Sequence, residues 1–575
     1  MAIRWSRLRL IAPLSLAALF GVGARAYALP APSAYDVSLK PHVIGGAVDY
    51  IDVHIRMEHP DVAAGAAIVR MPLVVASIPT ARYDGDALQA SDANGSLPLT
   101  IKDLPPTPSL TYREWSPSRA TSGDVVFAFH APMRQVSATT RNGPLFDLRA
   151  EAGGLDGAGY TFLPDAPGVE PRRISIHWDL SGMAPGARGV TSLGEGDVTT
   201  VKPAEFINDL YFYAGPVKSY PSQGSDRFAM YWLTEPPFGA TDAATMIDRL
   251  YAYMSTFFHD EGGSYRVFIR KQPYKGDGGT ALYRSFMFGW GTGKAPTTDN
   301  LEGLIAHEMT HNWPSLDGDH GDTSWYSEGT AEYYSILLSL RAGLISPDEF
   351  LKRINERAEG YYDNPLQRLS NRDAEAIYWR DARASHVPYG RGFMYLGRVD
   401  AEIRAKSHGK RSLDDVVLAL LELKRKGKPA GLQQWQDLTA AELGPIARRE
   451  YADMVAGKPI EPPANAFAPC FTPERYETRP LEPGFDVAAL EQARHAVTGL
   501  VAGSAAEKAG LENGDEIVHA PDFAAPDLHG TNGPVEVVVR RAGRELTIKY
   551  VPLGAPVAAW RWARNPKVAD AACKV

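Results

Sequence analysis

Short apolar runs separated by turn-forming residues fill the first part of the chain. From about residue 34 to residue 206, β-branched and aromatic stretches alternate with Gly, Pro, Asp and Asn. The clearest runs are 43–55, 66–75, 124–130 and 173–180. This spacing of strands and turns is typical of an antiparallel β-sandwich. From about residue 208 to residue 463 the pattern becomes mixed and then helical, as in residues 413–423.

Two adjacent helices are predicted in this second region. Asp299 and Asn300 are placed to cap the first helix, apolar residues follow at helical spacing, and Pro314 closes it. The second helix opens in the polar run 322–324 and stops at Gly343. We therefore expect a multidomain α+β chain, with a β-sandwich first and a mixed, then helical, unit after it.

These two helices carry the residues with the clearest chemistry. His307, Glu308 and His311 stand in the order H-E-M-T-H, and Glu328 lies in the second helix within W-Y-S-E-G-T-A-E-Y-Y. Residues four apart share a helix face, so both imidazoles can reach one ion. Two imidazoles and a carboxylate are ordinary zinc ligands, and three protein ligands leave a fourth position open to water. The pattern predicts one catalytic Zn²⁺ per chain. Its general base would be Glu308.

Glu332 follows Glu328 by one helical turn. It can accept a hydrogen bond from a ligand imidazole and fix the tautomer of that ring, or it can lie on a solvated helix face. The sequence does not decide between the two. For the motif as a whole, the main alternative is a metal-free relic of a peptidase.

The two motifs together resemble those of the glycyl aminopeptidase family, a branch of the gluzincin zinc metallopeptidases. The similarity continues through residues 388–404 and 409–416, which match the family's Y-x-K-G stretch and the helix after it. The resemblance implies a thermolysin-like catalytic domain, and it gives Tyr389 the role of stabilising the oxyanion of the tetrahedral intermediate. A neutral phenol can do this by donating a hydrogen bond. Without the resemblance, Tyr389 would be a turn residue beside Gly390.

One segment departs from the family pattern. Upstream of the zinc helix, family members often carry a G-G-L-E-H-type sequence whose Glu is thought to bind the free amine of the substrate. Residues 278–285 keep Gly278, Gly279 and Ser285 but contain no acidic residue. The two glycines remain candidates for substrate binding. The segment therefore supports peptide hydrolysis more than it supports selectivity for a free amino terminus.

The C-terminal part begins with a proline-rich passage that indicates a linker, and residues 497–518 after it resemble a PDZ domain. Relatives of the glycyl aminopeptidases commonly end in such a domain. A PDZ groove takes an extended peptide or a protein C-terminus as an added strand. The alternative is a degenerate packing module. Cys470 and Cys573 flank this segment and can form one disulfide in an oxidising compartment.

Residues 1–28 have the form of a bacterial-type secretory signal, with arginines, an apolar run and small residues at a cleavage site. The apolar run is too short to span a membrane, so we expect a secreted or periplasmic protein without a transmembrane anchor after cleavage. The formal net charge of −8 includes the arginines of this segment, and an acidic mature chain argues against a nucleic-acid partner.

The predicted organisation is a signal peptide at 1–28, an N-terminal β domain at 29–206, a zinc peptidase domain at 207–464, a linker at 465–482, a PDZ-like domain at 483–555 and a tail at 556–575. We predict an exported zinc peptidase acting on peptides, most readily an aminopeptidase for small N-terminal residues. Two alternatives stay open. One is an endopeptidase or narrow-specificity peptidase without free-amine recognition. The other is a periplasmic peptide-binding protein that works through its PDZ-like groove beside a degenerate peptidase domain.

Overall fold

The computed structural model describes residues 32–573 apart from 76–77, 106–109, 141–142, 261, 294–295, 297, 379–380, 488–494, 522 and 524–532. The predicted signal peptide lies outside the described residues. Within the described ranges, no helix combines the length and the apolar character needed to cross a bilayer.

The N-terminal part consists of three β-sheets. Its strands are β1 (Ala34–Ile44), β2 (Ala47–Met57), β3 (Val69–Val75), β4 (Ile78–Pro79), β5 (Leu88–Asp92), β6 (Gly95–Ser96), β7 (Leu99–Asp103), β8 (Leu110–Pro117), β9 (Val125–Pro132), β10 (Arg149–Glu151), β11 (Gly154–Ala158), β12 (Pro171–Trp178), β13 (Arg188–Thr191), β14 (Gly194–Glu195), β15 (Val198–Pro203) and β16 (Tyr211–Gly215). The sheet orders are β15-β12-β1-β2-β9-β5-β6, β4-β3-β8-β7 and β10-β11-β16-β13-β14. Alternate residues of β2, such as Ile51, Val53 and Ile55, are fully buried, as a half-buried strand requires.

Three details of this part differ from the sequence prediction. The run 43–55 is a hairpin, because Gly45 and Gly46 take the positive φ angles of a tight turn between β1 and β2. The pairing is mostly antiparallel, but β1 runs parallel to β12. The β-rich part also continues past residue 206, since β16 is the central strand of the third sheet and ends at Gly215.

The central part has one mixed sheet and a set of helices. Its strands are β17 (Lys218–Tyr220), β18 (Phe228–Trp232), β19 (Tyr265–Lys275), β20 (Gly278–Leu282) and β21 (Ser285–Thr292), in the order β17-β18-β19-β21-β20. Its helices are α1 (Ala240–Phe257), α2 (Thr298–Thr310), α3 (His320–Arg341), α4 (Pro347–Tyr362), α5 (Asn371–Ile377), α6 (Ala382–Ser385), α7 (Val387–Lys406), α8 (Leu413–Arg425), α9 (Leu432–Leu443) and α10 (Ile446–Val455). One hydrophobic core joins the sheet to these helices. Asp299 and Asn300 fall inside α2 instead of capping it, because the helix starts at Thr298.

The C-terminal part contains β22 (Phe471–Thr478), α11 (Ala505–Lys508), β23 (Glu516–His519), β24 (Val535–Arg541), β25 (Arg544–Tyr550) and β26 (Val557–Arg564). The sheet β23-β24-β25 has a small core of its own. The predicted disulfide joins Cys470 to Cys573, whereas the pairing of β22 in the predicted linker with β26 in the predicted tail was not predicted. Trp562 of β26 is buried in the core of the central part. The two segments therefore form a ribbon fixed to the helical unit.

Candidate metal centre

Helices α2 and α3 pack side by side and bring the three predicted ligands together. The Nε2 atoms of His307 and His311 lie 3.2 Å apart, and Glu328 Oε2 lies 3.3 Å from the first and 3.6 Å from the second. Around a tetrahedral zinc ion with bonds of about 2.1 Å, ligand atoms are separated by about 3.4 Å. The three atoms therefore fit one ion. Within the described ranges, no other group of His, Cys, Asp and Glu side chains is arranged in this way.

The environment of these atoms favours a cation. Glu328 Oε2 is buried and has no donor in hydrogen-bonding geometry among the residues that the structure describes. A buried carboxylate oxygen without a partner is costly, and a metal ion would supply one. Burial lowers the pKa of His307, but the neighbouring Glu328, Glu332 and Glu308 raise it overall to about 10. The site therefore holds more negative charge than its own residues compensate.

Glu332 is not on a solvated face. It lies against Nδ1 of His307, the ring nitrogen that faces away from the other two predicted ligands. Its Oε1 is 3.1 Å from His307 Nδ1, and only 12% of its side chain is exposed. Arg357 of α4 donates from Nε to the other carboxylate oxygen, Oε2. Burial would raise the pKa of Glu332, but Arg357 and His307 lower it to about 2. When a metal binds Nε2 of His307, an ionised carboxylate at this position would favour the proton on Nδ1.

Three neighbours of the site were not predicted from the sequence. Ser327 Oγ lies 3.3 Å from His311 Nδ1, so the outer nitrogen of this second imidazole has a hydrogen-bonding partner. Arg357 holds Glu332, and Tyr378 lies beside Tyr389. Ser327 stands next to a ligand in the motif, which is a usable signal. Arg357 and Tyr378 come from other segments, and no spacing in the sequence connects them with the site.

Tyr389 lies in the first turn of α7, with its ring parallel to that of His307. The ring centroids are 5.7 Å apart and the planes differ by 9°. Burial, and then the charge of Glu328, raise the pKa of Tyr389 far above its ordinary value, so the phenol is neutral. Its hydroxyl interacts with Glu328 and with Tyr378, whose pKa burial raises to about 12. A neutral phenol beside the metal ligands is a hydrogen-bond donor for a developing oxyanion.

Two glycines set the position of α7 on α3. A Cβ atom on Gly392 would lie 2.0 Å from the carbonyl oxygen of Trp325, and one on Gly329 would lie 2.5 Å from the Cα atom of Gly392. Neither position has room for a side chain. The close approach of the two helices therefore explains the glycines that follow Glu328 and Tyr389 in the sequence, and it places Tyr389 next to the metal ligands.

Gly278 and Gly279 lie on β20, the edge strand of the central sheet, which packs beside α2. A Cβ atom on Gly279 would lie 1.9 Å from the ring of Phe286, so packing alone requires this glycine. The strand contributes no carboxylate. Arg284, just after it, pairs with Asp260 Oδ2 at 2.8 Å.

Comparison with known proteins gives one family match and several similar solved structures. Residues 317–386 match the M61 glycyl aminopeptidase family. No curated protein sequence matches the chain. Among solved structures, the chain is similar to an aminopeptidase N family protein from Idiomarina loihiensis, with 13% identity and a TM-score of 0.65 over 94% of this chain and 99% of that chain. It is also similar to a mutant M1 zinc metallopeptidase from Deinococcus radiodurans bound to a Tyr-Ser-Ala substrate, with 17% identity and a TM-score of 0.44 over 75% of this chain and 95% of that chain. The first similarity shows a shared fold. The TM-score of the second is too low to show the same.

Proposed function

We propose that the chain is an exported zinc aminopeptidase of the glycyl aminopeptidase type, and the match of residues 317–386 to that family supports the proposal. The observation that carries the proposal is the ligand set. His307, His311 and Glu328 offer three atoms at tetrahedral spacing around one point. Glu308 follows the first ligand on the same helix.

A bound zinc ion would polarise the scissile carbonyl and lower the pKa of a water molecule. Glu308 accepts the proton of the attacking water and passes it to the leaving amine. Tyr389 donates a hydrogen bond to the oxyanion, and burial together with the charge of Glu328 raises its pKa, which favours the neutral phenol that such a donor requires. Glu332, held by Arg357, keeps the imidazole of His307 in the tautomer and orientation that ligation requires.

Action on the amino terminus is the finer part of the proposal. The family match supports it, and the fold shared with an aminopeptidase N family protein is in line with it. The absence of a carboxylate on the segment 278–285 favours the second candidate, an endopeptidase or narrow-specificity peptidase on the same metal centre. The two differ in whether blocking the amino terminus of a peptide stops its hydrolysis.

Export and peptide binding by the C-terminal sheet complete the proposal. The residue pattern of 1–28 supports export, and the disulfide between Cys470 and Cys573 fits an oxidising compartment. The sheet β23-β24-β25 has its own core and follows the segment that resembles a PDZ domain. We assign a peptide or protein C-terminus to it as a ligand by analogy alone.

The test separates the base from the ligands. Glu308→Gln is expected to keep one zinc per chain and to lose hydrolysis, because the residue acts as a base and does not bind the metal. His311→Ala is expected to lose the metal. Zinc content by elemental analysis and initial rates on aminoacyl peptides measure both effects, with the exposed Glu422→Gln on α8 as a control. Loss of zinc from a folded Glu308→Gln protein would overturn the assignment of roles.

A further inference from the structure

A cavity of about 400 Å³ lies in the β-rich part, outside the metal centre. Its wall includes Asn208 and Asp209 at the end of the 3-10 turn that precedes β16. The main-chain N–H of Tyr283, just after β20, donates to the carbonyl oxygen of Asp209 at 3.2 Å. The cavity therefore lies where the β-rich part meets β20, the edge strand of the central sheet. Its volume is in the range of ordinary small-molecule sites.

Three carboxylates line this cavity, those of Asp165, Glu205 and Asp209, and in the part of the chain that the structure describes only two of them have a cationic partner. Arg70 pairs with Asp165 at 3.2 Å and with Glu205 at 2.9 Å. Asp209 has no Lys or Arg partner among the described residues, and burial raises its pKa to about 7. Asp209 is thus a largely buried carboxylate that a bound cation would complement.

Asn208 supplies an independent observation at the same wall. The residue lines the cavity and is only 3% exposed. Its Nδ2 donates to Asp165 Oδ2 at 2.7 Å, and a carboxylate only accepts, so the other amide atom must be the oxygen. This oxygen, Oδ1, is buried and has no hydrogen-bond partner within the described part of the chain. It is an acceptor that a bound donor would satisfy.

Aromatic rings complete the wall. Tyr112, Tyr160 and Phe206 line the cavity, and their faces can hold a cation. The protein already uses two of them in this way. The guanidinium of Arg70 lies 5.0 Å from the centre of the Tyr112 ring, and the ammonium of Lys202 lies 5.6 Å from the centre of the Phe206 ring. A carboxylate, an unpaired amide oxygen and aromatic faces are together the complement of a planar cationic donor.

We propose that this cavity binds an alkylguanidinium or alkylammonium group, with Asp209 and Asn208 Oδ1 accepting its N–H bonds and the aromatic rings covering its stem. The site is separate from the metal centre and does not depend on the activity proposed for it. The group can come from a basic side chain of a bound peptide or from a free small cation. Both sources present the same cationic N–H donor to the cavity.

The first test is direct binding. The full-length protein is titrated calorimetrically with n-butylguanidinium and with its neutral isostere n-butylurea. We expect saturable binding of one guanidinium per chain, weakened about tenfold or more in the urea and in Asp209→Asn. Asp86→Asn, an exposed carboxylate of the same β-rich part, is the matched control and should bind normally, as should Glu308→Gln. Equal binding of the urea by the wild-type protein overturns the proposal without any variant, and so does unchanged affinity in a folded Asp209→Asn protein.

The second test distinguishes the sources. Peptides carrying arginine or the isosteric, neutral citrulline at successive positions are compared by kcat/KM in the wild-type and Asp209→Asn proteins. A several-fold preference for arginine at one position, absent from Asp209→Asn, assigns the cavity to a substrate side chain. Equal values at every position, together with guanidinium binding, assign it to a free cation. Inactive preparations would refute the proposed peptidase, but they would leave the calorimetric result standing.

Discussion

The contacts of Glu332 allow a sharp test of how the predicted metal ligands are held. Its Oε1 lies 3.1 Å from His307 Nδ1, and its Oε2 accepts a hydrogen bond from Arg357 Nε. Glutamine has the same shape but offers one acceptor and one donor. Whichever way its amide is turned, the NH₂ group faces an N–H donor. Glu332→Gln therefore breaks one of the two contacts and removes the charge that holds the tautomer of His307.

Two independent magnitudes give a similar value for the loss of zinc-binding free energy expected in Glu332→Gln. A hydrogen bond to a charged group contributes about 1.5–3 kcal/mol. Removing an outer partner of a metal-bound histidine typically weakens metal binding by about 10–100-fold, which is about 1.4–2.7 kcal/mol. We expect the zinc dissociation constant of Glu332→Gln to rise by this factor. The thermal midpoint of the metal-free protein should change little by comparison.

The assay is competition for zinc with a chromophoric chelator at a fixed pH, with activity restored by excess zinc as a second readout. Glu422→Gln on α8 loses only an exposed pair with Lys426 at 3.0 Å and serves as the control, with unchanged zinc affinity. If Glu332→Gln binds zinc as tightly as the wild-type protein, the contact with His307 does not support ligation, and the role assigned to Glu332 is refuted.

Three further predictions concern catalysis, stability and selectivity. Tyr389→Phe should lower kcat by about a hundredfold or more with little change in KM, and near-normal turnover would contradict its role at the oxyanion. Reduction of the disulfide between Cys470 and Cys573, which are 103 residues apart, should lower the unfolding free energy by about 3–5 kcal/mol in the chain-entropy model, and two free thiols titrated in denatured, unreduced protein would rule the bridge out. Acetylating the amino terminus of a peptide separates the two candidate functions: because 278–285 has no carboxylate for the ammonium, the second candidate predicts that hydrolysis slows by less than about tenfold, whereas a preference of about a thousandfold for the free amine would support the aminopeptidase and show that another residue binds the ammonium.

The sequence predicted those parts of the structure that depend on local spacing. His307 and His311 are four residues apart, and such residues share one helix face in any protein, so their convergence needed no tertiary information. The start of the zinc helix was misplaced, because Asp299 and Asn300 are good capping residues but Thr298 already belongs to α2. The position of a helix end depends on what packs around it.

The contacts missed were those between distant segments. β22 and β26 pair with each other although the strands β23, β24 and β25 lie between them in the sequence, and nothing in the proline-rich composition around Phe471 indicates a partner near Trp562. Arg357 reaches Glu332 from α4, and a single arginine on a helix face has no distinguishing pattern. Such pairs become visible only when the packing of the elements is known.

Helix α3 explains why the match at 317–386, which contains neither histidine nor Tyr389, falls on the centre of the site. Glu328 projects from α3 towards both imidazoles, and its charge is the largest cause after burial of the raised pKa of Tyr389. One carboxylate thus completes the ligand set and keeps the phenol protonated. The next residue, Gly329, admits α7 at a distance that no side chain would allow, which brings Tyr389 to the same point. Because α2 and α7 both pack on α3, this one helix positions the three predicted ligands and the proposed oxyanion donor relative to one another.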